Sequence, residues 1–239
     1  MHDRTAGSAF ILGFFICAGL IGFGWFAADA ALRVKALDRT VTVKGLSEKE
    51  VPADIAIWPI TFNEAGNDLG ELTASVEAKN AAIIEFLKQN GFSPEEVTLA
   101  PPAITDRQAQ GYADADRMKF RYTAMSTLTL YTRQVAAVLS ARTRLAELGK
   151  QGIALAGQDY NARTEFLFSG LNALKPGMIE EATKQARAVA EKFAQDSQSR
   201  LGRIKNAQQG QFTISDRDSN NPHIKNVRVV STVEYYLSD

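Results

Sequence analysis

The densest run of side chains that could do chemistry is Asp216-Arg217-Asp218-Ser219-Asn220-Asn221, whose acidic and amide groups alternate like the opening of a calcium-binding loop. Oxygen ligands at that spacing would suit a hard divalent cation. Its sixth residue, however, is Asn221, where the sharp turn wants Gly, and its twelfth is Val227, where a bidentate Glu should close the shell. Asp, Asn and Ser gather in turns for local hydrogen-bonding reasons, so the run reads as a solvated hairpin loop. Asp114 and Asp116, in the polar stretch Gln108–Asp116, read the same way. His223 is the sole histidine beyond the N-terminal tail, so Ser-His-Asp or Cys-His machinery would have to run through it. It follows Pro222 in a polar loop, and no Gly-x-Ser-x-Gly elbow exists to serve it. Ser169-Gly170-Leu171-Asn172 and Ala156-Gly157-Gln158-Asp159 hold one Gly each, which suits a turn and cannot cradle a phosphate. With 1 Cys and 2 His the chain cannot assemble a zinc set or an internal disulfide. Its 27 Lys+Arg balance 27 Asp+Glu, which leaves no basic footprint for nucleic acid. The expectation is a protein that is not an enzyme, with no catalytic, cofactor-binding or metal-binding residues, no cofactor and no nucleic-acid partner.

The elements that must position these groups alternate between strand and helix. Thr40–Gly45 and Ile55–Phe62 are β-prone, with Pro59 marking an edge or a bulge. Leu72, Val76, Ile83, Ile84 and Leu87 recur at helical spacing, which predicts a helix over Leu69–Asn90, capped by Asn67 or Asp68 and stopped at Gly91. A short strand follows at Val97–Leu99. Met118–Tyr131 alternates cleanly and predicts a half-buried antiparallel strand, then an amphipathic helix runs over Arg133–Leu148. Thr164–Phe168 is strand-like. Pro176–Leu201 reads as a strong helix with Pro in its first turn and Ile179, Ala182, Ala186, Val189, Ala190, Phe193, Ala194 and Leu201 on one stripe. Ala207–Ser215 and Val227–Leu237 close the chain as strands. A β-α-β-β order thus occurs twice, which predicts an α+β fold of mainly antiparallel sheet with helices packed on one face. Open strand edges in such a fold are often used for assembly.

Ahead of this domain, Thr5–Ala28 carries no charge over 24 residues. As a helix it would be about 36 Å long, enough to cross a hydrocarbon core of about 30 Å with tilt. The division expected is therefore a tail, membrane helix and linker over 1–38, and an α+β domain over 39–239. Phe10, Phe14, Phe15, Leu20, Phe23, Trp25 and Phe26 are the expected membrane-anchor side chains. Ala9, Gly13 and Cys17, with Ala18 and Gly22, form small-xxx-small faces that would allow close packing between membrane helices. Ala28-Asp29-Ala30 has the form of a signal-peptidase site, but the apolar stretch is longer and more aromatic than a usual signal core, which favours a retained anchor. Arg33, Lys35, Arg39 and Lys44 follow the segment and only Arg4 precedes it; a literal charge count would keep the domain in the cytoplasm, and long domains escape that rule. Charge alone leaves the side of the membrane open.

Several segments together resemble the SIMPL domain family, formerly a domain of unknown function, found in bacterial envelope proteins. They are Thr40-Val41-Thr42-Val43-Lys44-Gly45, Val51-Pro52-Ala53-Asp54-Ile55-Ala56-Ile57-Trp58, Phe120-Arg121-Tyr122-Thr123-Ala124, Thr164-Glu165-Phe166-Leu167-Phe168, and Ile214-Ser215-Asp216-Arg217-Asp218 with the closing Val227–Leu237 strand. The resemblance spans nearly everything after Asp38. It implies a repeated βαββ arrangement, a periplasmic or outer-surface location, an association with oxidative-stress tolerance, and large ring-like or channel-like homo-oligomers; it supplies no catalytic residues. Many members have a cleaved signal peptide, from which the aromatic-rich segment here departs.

The expected function is a non-enzymatic protein of the inner (cytoplasmic) membrane, single-pass with its C-terminal domain in the periplasm. Its expected partners are copies of itself, in a large ring- or cage-like homo-oligomer linked to oxidative or envelope stress, and membrane lipid. The alternative is a periplasmic binding module for a small hydrophobic ligand or a partner protein.

Overall fold

The structure, a computed structural model, describes residues 3–36, 39–109, 119–156 and 163–238. Helix α1 (Asp3–Ala36) contains Leu12–Leu32, an apolar stretch of 21 residues long enough to cross a membrane. The chain divides into two compact units, one of Met1–Glu48, Lys175–Thr213 and Arg228–Asp239, the other of Lys49–Leu174 and Ile214–Val227.

The second of these units is built on β2 (Ile55–Gly66) and β5 (Tyr122–Thr132), paired antiparallel from Ala56 opposite Thr132 to Gly66 opposite Tyr122. β3 (Val97–Leu99) and β4 (Ala103–Asp106) pair with β5, and β6 (Glu165–Leu167) pairs with β2, giving the order β3-β5-β2-β6. One face of β2 and β5 presents Trp58, Ile60, Phe62, Ala124, Leu128 and Leu130, all buried. α2 (Leu69–Gln89) lays Leu72, Val76, Ile83 and Leu87 on that core, each contributing about 1.5–3 kcal/mol by burial. The ends of α2 are those the sequence predicts: the Asp68 carboxylate accepts the Glu71 N–H at 2.9 Å, and Gly91, at φ +90°, turns the chain so that Phe92 folds into the core. Asn80 lies on the apolar stripe, where its amide oxygen accepts the Ser126 hydroxyl at 2.9 Å.

Pro59 lies inside β2, opposite Thr129. Backbone groups two residues apart in a strand point to the same side. The Thr61 carbonyl accepts the Ala156 N–H at 2.8 Å on the edge away from β5, so the missing Pro59 N–H also falls on that edge. There it sits between β6, which covers Ile55–Ile57, and the bridge from Leu155 to Phe62. The helix predicted over Arg133–Leu148 is two pieces, α3 (Val135–Thr143) and α4 (Ala146–Lys150). The break is fixed by Arg144, whose guanidinium forks onto Glu147 at 3.0 and 3.1 Å and reaches the Asn90 side chain at 3.0 Å. The strand expected from Met118 begins at Tyr122, with Lys119–Arg121 outside it; Met118 itself, Gln110–Asp116 of the polar loop and Gly157 to Asp159 lie outside the described residues.

The other sheet has the order β1-β9-β7, with β8 beside β9. β1 (Thr40–Pro52) is far longer than the six-residue run expected, and β9 (Ile224–Ser238) extends the expected closing strand by three residues at its start. Helix α5 (Leu171–Asp196) begins five residues before Pro176 and ends before Leu201, which belongs to β7 (Arg200–Gln209). Pro176 is thus the sixth residue of the helix, where it forgoes one bond to the preceding turn. Met178, Ala182, Ala186, Ala190 and Ala194 form the buried stripe, whereas Val189 and Phe193, expected on it, are exposed. The alanines let the helix backbone approach β1, where a Cβ on Gly45 would meet the Ala182 carbonyl oxygen at 1.8 Å. The strand expected over Ala207–Ser215 is split at Gly210 into β7 and β8 (Thr213–Asp216), because the Gly210 N–H closes onto the Val230 carbonyl at 2.8 Å. The strand at Thr164–Phe168, placed by its sequence position just before α5, joins β2 instead; β1 is the strand α5 packs on. β7 ends its sheet, and nine of its ten residues are exposed on both faces.

Candidate functional site

Among the described residues the strongest convergence of polar and apolar groups surrounds β6. Its frame is the Pro52-Ala53-Asp54 turn between β1 and β2. There the Ala53 N–H donates to the His223 carbonyl at 2.8 Å and the Asp54 N–H donates to the Leu167 carbonyl at 2.9 Å. The Asp54 carboxylate accepts the Ser169 N–H at 2.8 Å and the Ser169 hydroxyl at 2.6 Å. Burial by itself would raise the Asp54 carboxyl, but these hydrogen bonds and the charge of Arg133 outweigh it and hold it below 3.8. The turn thus ties together the segment after β6 and the loop before β9.

That loop is the run that imitates a calcium site, and its Asp218 carboxylate is engaged within the loop itself. Asp218 accepts the N–H groups of Asn220 and Asn221 at 2.9 and 2.8 Å, and the Arg217 side chain at 2.9 Å. The Arg217 guanidinium, then the Asn221 amide, hold the Asp218 carboxyl down to about 2. It is a capped turn. His223 packs edge-on against the buried Phe166 ring, with centroids 6.0 Å apart and planes at 68°.

Lys225, the second residue of β9, is 7% exposed, an unusual place for an ammonium, and it ion-pairs with Asp216 on β8. Two hollows meet at it. A polar one of about 300 Å³ is lined by Arg163, Thr164, Glu165, Asp216 and Pro222. An apolar one of about 380 Å³ is lined by Ile55, Phe166, Leu167, Phe168, Ser169 and Ile214. Both volumes fall within the range of small-molecule sites. Sequence reasoning passed over this place, although one signal was available. Lys225 shares the strand phase of Val227, Val229 and Val233, all of which are buried, so a lysine sits on the inward face.

In α1 the side chains of Ala9 and Phe10 lie outside the described residues. Phe14, Phe15, Leu20, Phe23, Trp25 and Phe26 are all exposed, and Phe14 meets Phe15 edge-on at 5.9 Å. Cys17 is a free, exposed thiol, and Gly13 and Gly22 have open space where a Cβ would stand. With Leu12, Ile16 and Ile21 also exposed, apolar side chains lie all round this helix, a pattern that suits lipid or other membrane helices. The helix is compatible with a single-pass anchor or a signal sequence.

No curated protein matches the chain. A family model does, over residues 41–233, from the second residue of β1 to the middle of β9, and so includes both sheets and the whole surround of β6. The chain belongs to the SIMPL family, described as a protein of unknown function (DUF541).

Proposed function

We propose that this chain is a non-enzymatic, membrane-anchored envelope protein that assembles with copies of itself into a large ring- or cage-like oligomer. α1 holds it in the inner membrane, the domain lies in the periplasm, and the assembly serves oxidative or envelope stress tolerance. The observation that carries the reading is β7: a ten-residue strand, last in its sheet, whose residues are exposed on both faces save for Leu201. An isolated strand edge of this length is a template for pairing, and stable proteins cover it or use it. Val189 and Phe193, one helical turn apart on α5, and Ile204 on β7 add exposed apolar surface within the same unit.

Mass photometry and electron microscopy of the detergent-solubilised full-length protein test the proposal. A large closed particle at micromolar concentration is the expected result, and a monomer refutes it. Protease protection in spheroplasts tests the periplasmic placement. A second reading, a binding module for a small hydrophobic ligand, is favoured by the paired hollows at Lys225; it predicts a monomer or dimer and a copurifying molecule.

A further inference from the structure

We infer that the apolar hollow beside β6 binds a small apolar carboxylate, held by its carboxylate head on Lys225 and by its body on Phe166, Phe168 and Ile214. This names a ligand class for the binding-module reading and rests on it. The first ground is the position of the charge. Lys225 is nine-tenths buried, and of an ammonium's three donors Asp216 engages one. Two donors therefore have no protein partner among the described residues, and Lys225 lines the apolar hollow as well as the polar one, so a ligand there has a cation to pair with. The second ground is the lining. Among the described residues around the apolar hollow, Lys225 is the one ionisable group, and Ser169, whose hydroxyl hydrogen goes to Asp54, is the one other polar side chain. A lone cation in the wall of an aromatic and aliphatic hollow selects an apolar molecule with one anionic end; it gives an amine nothing and bonds a neutral oxygen more weakly than a carboxylate.

The third ground is the partner charge. Asp216 lines the polar hollow and not the apolar one, and its side chain is 39% exposed, so it can keep its own water when Lys225 engages a ligand. Asp216 is a competitor for the ammonium, which gives the two residues opposite signs in a binding assay. A purely structural ion pair would give both substitutions the same sign.

The probe is 4-(trifluoromethyl)phenylacetate, followed by fluorine NMR line width against the full-length protein in detergent, with empty micelles as blank and 4-(trifluoromethyl)phenylethanol as neutral comparator. The carboxylate is expected to bind and the alcohol to bind at least about tenfold more weakly. Lys225→Met, which keeps the apolar stem, should remove the preference, and Asp216→Asn should tighten the carboxylate severalfold. Thermal melting of each variant reports folding, and Asp216→Asn carries the test if Lys225→Met misfolds. Equal binding of both probes with no response to either substitution overturns the inference and leaves the hydrophobic-ligand reading standing. Binding of neither probe overturns both.

Discussion

Replacing Gly45 by Ala tests the packing of α5 on β1. The added Cβ would stand 1.8 Å from the Ala182 carbonyl oxygen and 2.5 Å from the Ala186 nitrogen. Close carbon–oxygen contacts between packed elements settle at about 3.3 Å, so strand and helix must separate by about 1.5 Å. Both opposing atoms are helix backbone, and no rotamer change can yield. Separation loosens a small core of Val43, Ala186, Ala190, Val233 and Tyr235, in which alanine has little to fill a gap. Overpacking of this kind costs about 3 kcal/mol, the upper part of the usual range. At about 2–4 °C per kcal/mol for a domain of this size, melting should fall by roughly 6–12 °C. Circular dichroism melting of the full-length protein measures it, with hydrogen exchange on α5 locating the loss. Gly177→Ala in the same helix is the control: a Cβ there meets nothing within 4 Å, and the gain in helix propensity should raise stability by up to about 1 kcal/mol. Melting of Gly45→Ala within about 1 °C of the parent would refute the reasoning.

Asp54 has a folded-state pKa below its ordinary value, so its contribution is fully present above about pH 4 and is lost as pH falls through the folded value. Asp54→Asn should therefore flatten the acid limb of a melting-versus-pH curve, and an unchanged limb would count against the Ser169 tie. Asn80→Ala leaves the buried Ser126 hydroxyl without its acceptor and should cost about 1–3 kcal/mol, read by the same melt. Phe193→Glu, on an exposed position, should leave the melt unchanged and reduce the assembled fraction in mass photometry if that face joins copies. Cys17→Ser should leave assembly intact, because serine keeps the small volume that close packing on that helix face needs.

Local physics made α2 readable almost to the residue, since Asp68 and Gly91 each do a job their own side chain or backbone defines. The alternation through Tyr122–Thr132 was equally plain, because one face is buried along its whole length. α5 was harder: Pro176 is a natural first-turn residue, yet Leu171–Lys175 form helix before it. Val189 and Phe193 are as apolar as any core residue, and nothing in their identity says that the alanines face inward. That choice is made by Gly45 in β1, far away in sequence. The pairing of β6 with β2 is likewise a long-range decision, invisible in a three-residue strand. The candidate site was least legible of all, being assembled from a turn, a short edge strand and the start of β9. Lys225 alone, on a valine phase, betrayed it.

Pro59 also protects the strand edge on which it lies. The edge of β2 is covered at Ile55–Ile57 and again at Phe62, and the interval between them is left without a partner strand among the described residues. A stray segment trying to dock there would meet a ring carbon where it needs a donor, and could not extend its ladder through the gap. The proline acts as a gatekeeper against misassembly during folding, when sheets are transiently uncovered. β7, whose sequence contains no proline, has no such guard. Placing one at Ala207 or Gln209, whose N–H groups alternate with that of Gly210 and so face away from β9, would give that strand the same protection, and would show whether its vulnerability is something the protein uses.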